Sequence, residues 1–416
     1  MTNDDGIDDT AQATEPAPSD EGAVECSETE GETTPRMVKL KDLLMLDVVP
    51  ERITDTVNET FVTVRSKCGG AVKRPIKDGK IPVAFTGYRI HAGQLIYSRI
   101  DARNNAFAIV PEELDGAVVS KDFPVFRMDE ERILPDYLMH FFRTGQLQRV
   151  IQQHSKGITN RQRIREDELL AFPVPLPPLD EQRRIVSILD RADAIRTKRR
   201  QVLAAYDELP RSLFAEMFGN VTEKVRLVRY VREFVSGKSL VSDELSDNTV
   251  LKTSAVAANS FDGNQVKYLP AGYVPKEAHR VKVGDVLINR KNTMQLVGSA
   301  GYVWDVSDNV FLPDLLWKAD IEESSCNPVF LWQLLISGPV RQRIRDMATG
   351  AHSSMVNITK KKMLDLPVKF VPLALQREFA ERVAAIEASR RKVERALDLD
   401  EELFASLQSR VFRSGI

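Results

Sequence analysis

The sequence predicts an α+β protein in which two similar mixed α/β domains are each followed by a long helix, behind a disordered N-terminal tail. Three observations predict this fold. The first 35 residues carry only acidic charge, a thirteen-residue segment occurs twice, and each copy leads into a long stretch with apolar residues spaced three or four apart. Apolar residues at this spacing are typical of an amphipathic helix.

The tail, residues 1–35, contains eleven acidic residues and no lysine or arginine. This composition is typical of a solvated, disordered segment. The whole chain has a formal net charge of -2, but the remainder holds 58 basic and 49 acidic residues, a net charge of +9. The body can therefore present a phosphate-binding face. A tail that mimics DNA and screens this body is the alternative interpretation.

The composition also narrows the class of protein. No apolar run approaches the roughly 18 residues that a membrane-spanning helix needs, and the first thirty residues lack the features of a secretory signal. Cys26, Cys68 and Cys326 are far apart and form no CxxC pair. Such cysteines suit a reducing compartment, so we expect a cytoplasmic protein without a membrane partner.

Residues 36–178 are predicted to form the first domain. Its strand candidates are short and rich in β-branched and aromatic residues, and its first helix is predicted to begin at Pro135, since proline suits the first turn of a helix. The strand candidates are 81–85, 94–97, 106–110 and 124–128, and the helix candidate is 135–142. Because these strands do not alternate with long helices, a doubly wound parallel sheet is not expected.

The first long helix is predicted over residues 179–220. Pro177 and Pro178 cannot lie inside a helix, whereas Asp180 and Glu181 favour its first turn. Eight of the ten positions in its predicted stripe are apolar, and Pro210 is expected to kink or interrupt the helix. The stripe is Ile185, Ile188, Ala192, Ile195, Arg199, Val202, Tyr206, Leu209, Leu213 and Glu216.

The chain after the acidic tail contains an internal sequence repeat. Residues 172–184 match residues 366–378 at six of thirteen positions, with a shift of 194 residues. The second domain is therefore predicted over 221–372, with strands at 285–288, 296–303 and 315–319 and a helix at 328–335. The second long helix is predicted over 373–416. Its stripe is Phe379, Val383, Ile386, Arg390, Val393, Leu397, Asp400, Phe404, Leu407 and Val411.

The two long helices have two interpretations. They are either ordinary amphipathic helices packed on their own domains or a coiled coil in which they pack on each other. About 37 residues at 1.5 Å rise give about 55 Å, more than a small domain needs, which favours the coiled coil.

Familiar catalytic motifs are missing from the sequence. The five histidines form no HExxH pattern, and we find no Walker A loop, no Gly-x-Ser-x-Gly elbow and no Asn/Asp-Pro-Pro-aromatic tetrapeptide. We therefore predict no catalytic residue, no metal site and no cofactor bound by this chain.

Polar loops at matching places in both domains are the candidate functional sites. Arginine, asparagine and glutamine can bond base edges, while lysine, serine and threonine suit phosphates. The candidates in the first domain are Arg99, Arg103, Asn104, Asn105, Lys156, Thr159, Asn160, Arg161 and Arg163. Those in the second are Arg290, Lys291, Asn292, Gln295, His352, Ser353, Ser354, Lys360 and Lys361. Solvated loops without a ligand are the alternative.

The sequence resembles the specificity subunits of type I restriction-modification systems. Residues 175–182 read Pro-Leu-Pro-Pro-Leu-Asp-Glu-Gln, follow a polar loop, lead into a long helix and recur in altered form. The resemblance covers about residues 36–416. The second copy departs from it, because Phe370 to Gln376 lack the double proline and the acidic pair.

The resemblance implies two target-recognition domains, each reading half of a bipartite DNA sequence, and two helices packed as an antiparallel coiled coil that acts as a ruler. It implies no catalysis by this chain. The implied partners are double-stranded DNA, two adenine methyltransferase (modification) subunits and restriction/translocase subunits, with S-adenosylmethionine, ATP and Mg bound by those subunits. A scaffold protein without a DNA role and a nuclease with an unfamiliar site are the alternatives.

Overall fold

The computed structural model describes residues 36–76, 83–100, 102–154, 164–350 and 355–412, so the acidic tail lies outside the described residues. The chain divides into two compact units. The first extends to Gln182, and the second begins at Arg183 and contains most of both long helices.

The first unit is built from short antiparallel strands and three helices. The strands are β1 (Met37–Lys39), β2 (Leu44–Leu46), β3 (Pro50–Ile53), β4 (Val62–Val64), β5 (Ala71–Lys73), β6 (Phe85–Arg89), β7 (Leu95–Tyr97), β8 (Phe107–Ile109), β9 (Val118–Ser120), β10 (Val125–Met128) and β11 (Pro173–Pro175). The helices are α1 (Pro135–Arg143), α2 (Gln146–His154) and α3 (Glu166–Leu170). Its core contains stacked aromatic rings, with the Phe107 centroid 5.3 Å from Tyr97 and 4.5 Å from Phe142.

The second unit contains the remaining elements. Its strands are β12 (Lys224–Arg226), β13 (Val231–Ser236), β14 (Thr249–Leu251), β15 (Val266–Tyr268), β16 (Val286–Asn289), β17 (Lys291–Asn292), β18 (Ala300–Tyr302), β19 (Val310–Phe311), β20 (Leu316–Ile321), β21 (Val356–Asn357) and β22 (Pro367–Lys369). The helices that follow the first unit's three are α4 (Leu179–Phe218), α5 (Pro328–Ile336), α6 (Gly338–Met347), α7 (Lys360–Leu364) and α8 (Leu373–Val411).

Both units share one sheet order. The four-stranded sheet is β2-β10-β7-β8 in the first unit and β13-β20-β16-β18 in the second. In chain order, each is first-fourth-second-third. Each unit also contains a separate antiparallel strand pair, β1–β11 in the first and β12–β22 in the second. The two pairs correspond, because Val38 lies opposite Val174 and Val225 lies opposite Val368. The duplication predicted from the sequence is therefore present in the fold.

A buried glutamine occupies the same place in both copies. Gln182 accepts a hydrogen bond from the Leu134 amide (2.9 Å) and donates to the carbonyls of Arg132 (2.8 Å) and Pro177 (2.9 Å). Gln376 repeats this pattern. It accepts from the Asn327 amide (2.8 Å) and donates to the carbonyls of Ser325 (3.0 Å) and Val371 (2.7 Å). Both side chains are fully buried, so this glutamine of the duplicated motif ties the segment before α1 or α5 to the start of the long helix α4 or α8.

Most predicted elements are confirmed, with two exceptions among the strands. The strand predicted at 81–85 is wrong over residues 83–84, because the observed strand begins at Phe85 and ends at Arg89. Residues 81–82 lie outside the described residues. The strand predicted at 296–303 shrinks to Ala300–Tyr302. Gly298 turns there at φ +71, and a Cβ at this glycine would lie 2.2 Å from Ile344 Cγ2.

The two long helices run antiparallel where ion pairs join them. Arg196 contacts Glu401 at 2.8 Å, and Arg390 contacts Asp207 at 3.0 Å, so residue numbers rise along α4 as they fall along α8. Asp400 accepts a hydrogen bond from Arg199 between these contacts. Helix α4 continues through Pro210, so the interruption predicted at this proline does not occur.

The predicted stripe is confirmed for α8, where Phe379, Val383 and Phe404 are buried. It is partly wrong for α4. Four stripe residues are 40–49% exposed, whereas Arg196, which the stripe omits, places its guanidinium 3.5 Å from the centre of the Phe404 ring. The exposed residues are Ile188, Ile195, Val202 and Leu209, spaced seven apart, and we call them the outer row.

Candidate nucleic-acid interface

The chain after β7 forms the first candidate loop. Ser98 donates a backbone hydrogen bond to the Ala106 carbonyl (3.0 Å), which closes the loop before β8. Within it, residues 102–104 form a turn of 3-10 helix, and Asn105 follows in the left-handed conformation at φ +60. This closure holds Arg103 and Asn104 at the end of a buried sheet.

Arg99 is partnered inside the first unit. Its half-buried guanidinium forms an ion pair with Glu166 at the start of α3, and its carbonyl accepts from the Ile164 amide (3.3 Å). Burial raises the pKa of the Tyr97 hydroxyl, which stays protonated and donates to the Ile164 carbonyl (3.2 Å). Arg99 therefore holds the end of the second candidate loop.

Asn105 is also committed to the interior. Its side-chain amide donates to the Phe142 carbonyl (2.7 Å), and its side-chain oxygen accepts from Gln148 (2.6 Å). Since the side chain is buried, the structure favours a structural role over the predicted DNA contact. Asn104, in contrast, is exposed, and only the backbone of Arg103 is described.

The second candidate loop of the first unit lies outside the described residues, and so do its candidates. These are Lys156, Thr159, Asn160, Arg161 and Arg163. The described residue that follows it lies next to the first loop, because the Ile164 amide donates to the Arg99 carbonyl. Gln148, in the helix α2 that precedes the second loop, bonds Asn105 of the first loop. The first loop therefore contacts the helix before the second loop and the residue after it.

A hairpin for which the sequence predicts no role lies against this region. It consists of β4, β5 and the turn between them, and we call residues 62–74 the basic hairpin. The Lys67 and Cys68 amides donate to the carbonyls of Asn104 (2.7 Å) and Asn105 (2.6 Å). The tip of the basic hairpin therefore rests on the first candidate loop.

In the second unit, the two candidate loops meet in a strand pair. Lys291 lies opposite Asn357 and Asn292 opposite Val356. Arg290 extends the ladder, because its carbonyl accepts from the Ile358 amide (3.0 Å). All three predicted residues here, Arg290, Lys291 and Asn292, are half-buried. The ladder places them directly beside the second loop.

That second loop closes through paired backbone bonds between Thr349 and Asn357, both 2.9 Å. His352, Ser353 and Ser354 lie between them, outside the described residues. Lys360 and Lys361 follow at the start of α7. Both are exposed, and neither forms an ion pair with another described residue.

Gln295 is exposed, and its backbone is held by a buried arginine. Arg341 of α6 donates to the carbonyls of Val297 (2.5 Å) and Gln295 (3.0 Å). Burial, with repulsion from Arg345, lowers the pKa of Arg341 to about 10, so the side chain remains charged at neutral pH. Arg341 thus fixes the loop that carries Gln295.

Unpaired polar atoms lie along the same ladder. Among the described residues, the Asn289 and Asn357 side-chain oxygens and the Arg290 Nε are buried without a hydrogen-bond partner. The described part of the chain holds no group of three or more metal-ligating side chains. It also holds no helix that is both long and apolar enough to cross a bilayer.

Comparison with known proteins identifies this architecture. A family model described as the type I restriction modification DNA specificity domain matches residues 72–205, which include both candidate loops of the first unit. The type I restriction enzyme EcoKI specificity subunit of Escherichia coli (strain K12) is 23% identical over 312 residues, 69% of this chain and 67% of that protein. The chain therefore contains a match to a type I restriction modification DNA specificity domain and is similar to the specificity subunits of type I restriction enzymes.

Another specificity subunit and two solved structures are also similar to this chain. The putative MjaX specificity subunit of Methanocaldococcus jannaschii is 25% identical over 171 residues, 37% of this chain and 38% of that protein. A chain from a solved structure of the type I R-M system matches with a TM-score of 0.55 at 20% identity, covering 92% of this chain and 99% of that one. The S subunit from M. genitalium gives a TM-score of 0.54 at 13% identity, covering 94% and 99%.

The comparisons confirm the family predicted from residues 175–182, and the two solved structures agree with the mixed α/β fold that contains long helices. The individual residues predicted to contact DNA stay predictions.

Proposed function

We propose that this chain recognises the DNA target of a type I restriction-modification complex, with each compact unit reading one half of a bipartite sequence. The observation that carries the proposal is the duplicated unit itself. Both copies contain a four-stranded sheet with the same strand order. In each copy, two polar loops predicted from sequence start or end beside each other near this sheet.

The chemistry of these loops divides into two kinds of contact. Arg103 and Asn104 in the first unit and Arg290, Asn292 and Gln295 in the second can bond base edges in the major groove. Lysines such as Lys360 and Lys361 suit phosphates, which set position rather than sequence.

We also propose that the chain has no catalytic site and acts through partners in the cytoplasm. Two modification subunits would methylate adenine with S-adenosylmethionine, and restriction subunits would use ATP and Mg. The similarity to specificity subunits supports this division of labour. A nuclease activity of the chain itself would instead appear as metal-dependent cleavage by the isolated protein.

The antiparallel helix pair is proposed as the ruler that fixes half-site spacing, in the manner of a coiled coil. Its ion pairs support this role, because Arg196–Glu401 and Arg390–Asp207 lock the helices in one register. The outer row of α4 is proposed as the docking face for a helix of a modification subunit. Its spacing of seven residues fits a further helix packed along it.

The decisive experiment is adenine methylation by the chain purified with its modification subunit. We expect methylation at one bipartite target and its loss when Arg161, Arg163, Arg290 and Lys291 are changed to Ala. A matched control removes four exposed charges elsewhere, at Lys39, Lys41, Lys224 and Arg229, and should keep the activity. A complex that methylates no bipartite target would refute the proposal, and a loop variant with intact function would favour a scaffold role.

A further inference from the structure

The basic hairpin carries a concentrated positive charge. Arg65, Lys67, Lys73 and Arg74 are all exposed, and none forms an ion pair with another described residue. No acidic residue lies between positions 60 and 76. Elsewhere in the first unit, Arg89 is neutralised by Glu51 (2.7 Å) and Glu59 (2.8 Å). The four cationic side chains of the basic hairpin are therefore available to bind an anion of another molecule.

The hairpin is anchored at the candidate interface. Its tip is fixed by the amide bonds from Lys67 to Asn104 (2.7 Å) and from Cys68 to Asn105 (2.6 Å), and its base by the bond from Arg74 to the Phe61 carbonyl (2.7 Å). Cys68 is buried at the tip, and burial raises the pKa of its thiol to about 12. The cations are thus held beside the exposed Asn104.

The turn is held in an uncommon conformation. Lys67 (φ +58) and Cys68 (φ +50) are both left-handed, a region that residues with side chains avoid. Tight hairpin turns of this kind favour Asn and Gly at these positions. Here the two amide bonds to the neighbouring loop hold the conformation, and the Lys67 side chain is exposed at the turn.

We propose that the basic hairpin binds phosphates of duplex DNA and so sets the position of the first unit on its half-site. This inference rests on the proposed function, which assigns base contacts to the loop beneath the hairpin. Phosphates flank every base that a protein reads in a groove, and lysine and arginine are among the side chains that contact them. The hairpin contributes affinity, while the loops contribute sequence preference.

The test compares two double variants of the chain purified with its modification subunit. Lys67→Gln/Arg74→Gln removes two hairpin charges, and Lys39→Gln/Lys41→Gln removes two exposed charges from β1 and the turn after it, a region paired with β11 instead. The affinity for target DNA is measured across a series of salt concentrations. Each lost phosphate contact lowers the magnitude of the negative slope of log K against log salt by about 0.9.

We expect the hairpin variant to lose about 2 from the magnitude of that slope, while the methylated sequence stays the same and the control keeps the wild-type slope. Arg65→Gln/Lys73→Gln provides a second variant that leaves the left-handed turn untouched. Wild-type slopes in both folded hairpin variants would overturn the inference while leaving the proposed function standing.

Two further outcomes have definite meanings. A hairpin variant that loses its modification subunit but keeps the DNA slope would make the patch a protein contact and overturn the inference. A wild-type complex without any specific DNA binding would refute the proposed function, and the inference with it.

Discussion

The side chains of Gln182 and Gln376 show how single residues set the architecture. Each amide satisfies one backbone N–H and two carbonyls where a helix start, the segment before it and a proline-containing loop converge. Water does not reach these groups, because both glutamines are fully buried. A buried polar group without a partner is costly, so this residue type is required in both copies.

Replacing Gln376 with Ala should therefore lower the stability of the second unit by about 3 kcal/mol, because buried backbone groups would lose their partners. Calorimetric thermal unfolding checks this. Gln201→Ala, an exposed change on α4, should shift stability by less than about 0.5 kcal/mol. Equal unfolding temperatures for the two variants would contradict the role given to Gln376.

Individual residues also show which features of the candidate interface could be predicted from the sequence. The positions of the loops were predictable, since polar residues follow short strands in both copies. The roles of neighbouring residues were not. Asn104 and Asn105 are identical in type, but only Asn105 turns inward to Phe142 and Gln148. The clue to the basic hairpin was the absence of acids from 60 to 76, although its contact with Asn104 exists only in the fold.

At the scale of elements, the long helices differ in how well their faces could be predicted. In α8 the large apolar residues that are buried, Phe379, Val383 and Phe404, all fall in the predicted stripe, so the buried face follows directly. In α4 the outer row is apolar but exposed, whereas the face that contacts α8 contains the charged residue Arg196. The apolar pattern alone therefore does not identify the buried face of α4. A charged side chain was a poor candidate for a helix contact, but its guanidinium stacks on Phe404 and pairs with Glu401.

One polar position in the stripe of α4 pairs with one in the stripe of α8. Arg199 and Asp400 form an ion pair across the helices, and both are partly buried. Arg199→Glu and Asp400→Lys should each destabilise the helix pair, and the double variant should recover about 1–2 kcal/mol. Unfolding measurements on a double-mutant cycle check this coupling. The Arg382–Glu378 pair within α8 serves as control, with about 0.5 kcal/mol expected.

The outer row gives a second prediction for this element. Ile195→Ser/Val202→Ser should leave the fold intact, because both side chains are more than 40% exposed. The variant should bind the modification subunit at least ten-fold more weakly, since two apolar contacts of about 1 kcal/mol each are lost. Isothermal titration calorimetry measures this. Gln201→Ser, on the same helix, is the control, and equal affinities would exclude the outer row as docking face.

At the scale of the molecule, the duplication fits the proposal that one chain reads two different half-sites. The sheet order, the strand pair closed by β11 or β22 and the buried glutamine are common to both units. The surface features differ. The first unit has the basic hairpin, whereas the second has a ladder between β17 and β21 and a loop fixed by Arg341. A shared frame with different loops is what a bipartite, asymmetric target requires.

The ruler proposal makes a quantitative prediction for the whole molecule. Residues 195–201 of α4 face residues 398–404 of α8, as the Arg199–Asp400 and Arg196–Glu401 pairs show. Duplicating both segments adds seven residues, or about 10 Å, to each helix. At about 3.4 Å per base pair, the spacer of the methylated target should lengthen by about 3 base pairs.

Sequencing of methylated adenines in cells that carry the extended chain measures this spacer. The two half-site sequences should be unchanged, because neither unit is altered. Duplicating only 195–201 places the ion pairs out of register and should destabilise the helix pair instead of giving a new spacing. An extended chain that folds and methylates with the original spacer would show that something other than the helix pair sets the distance.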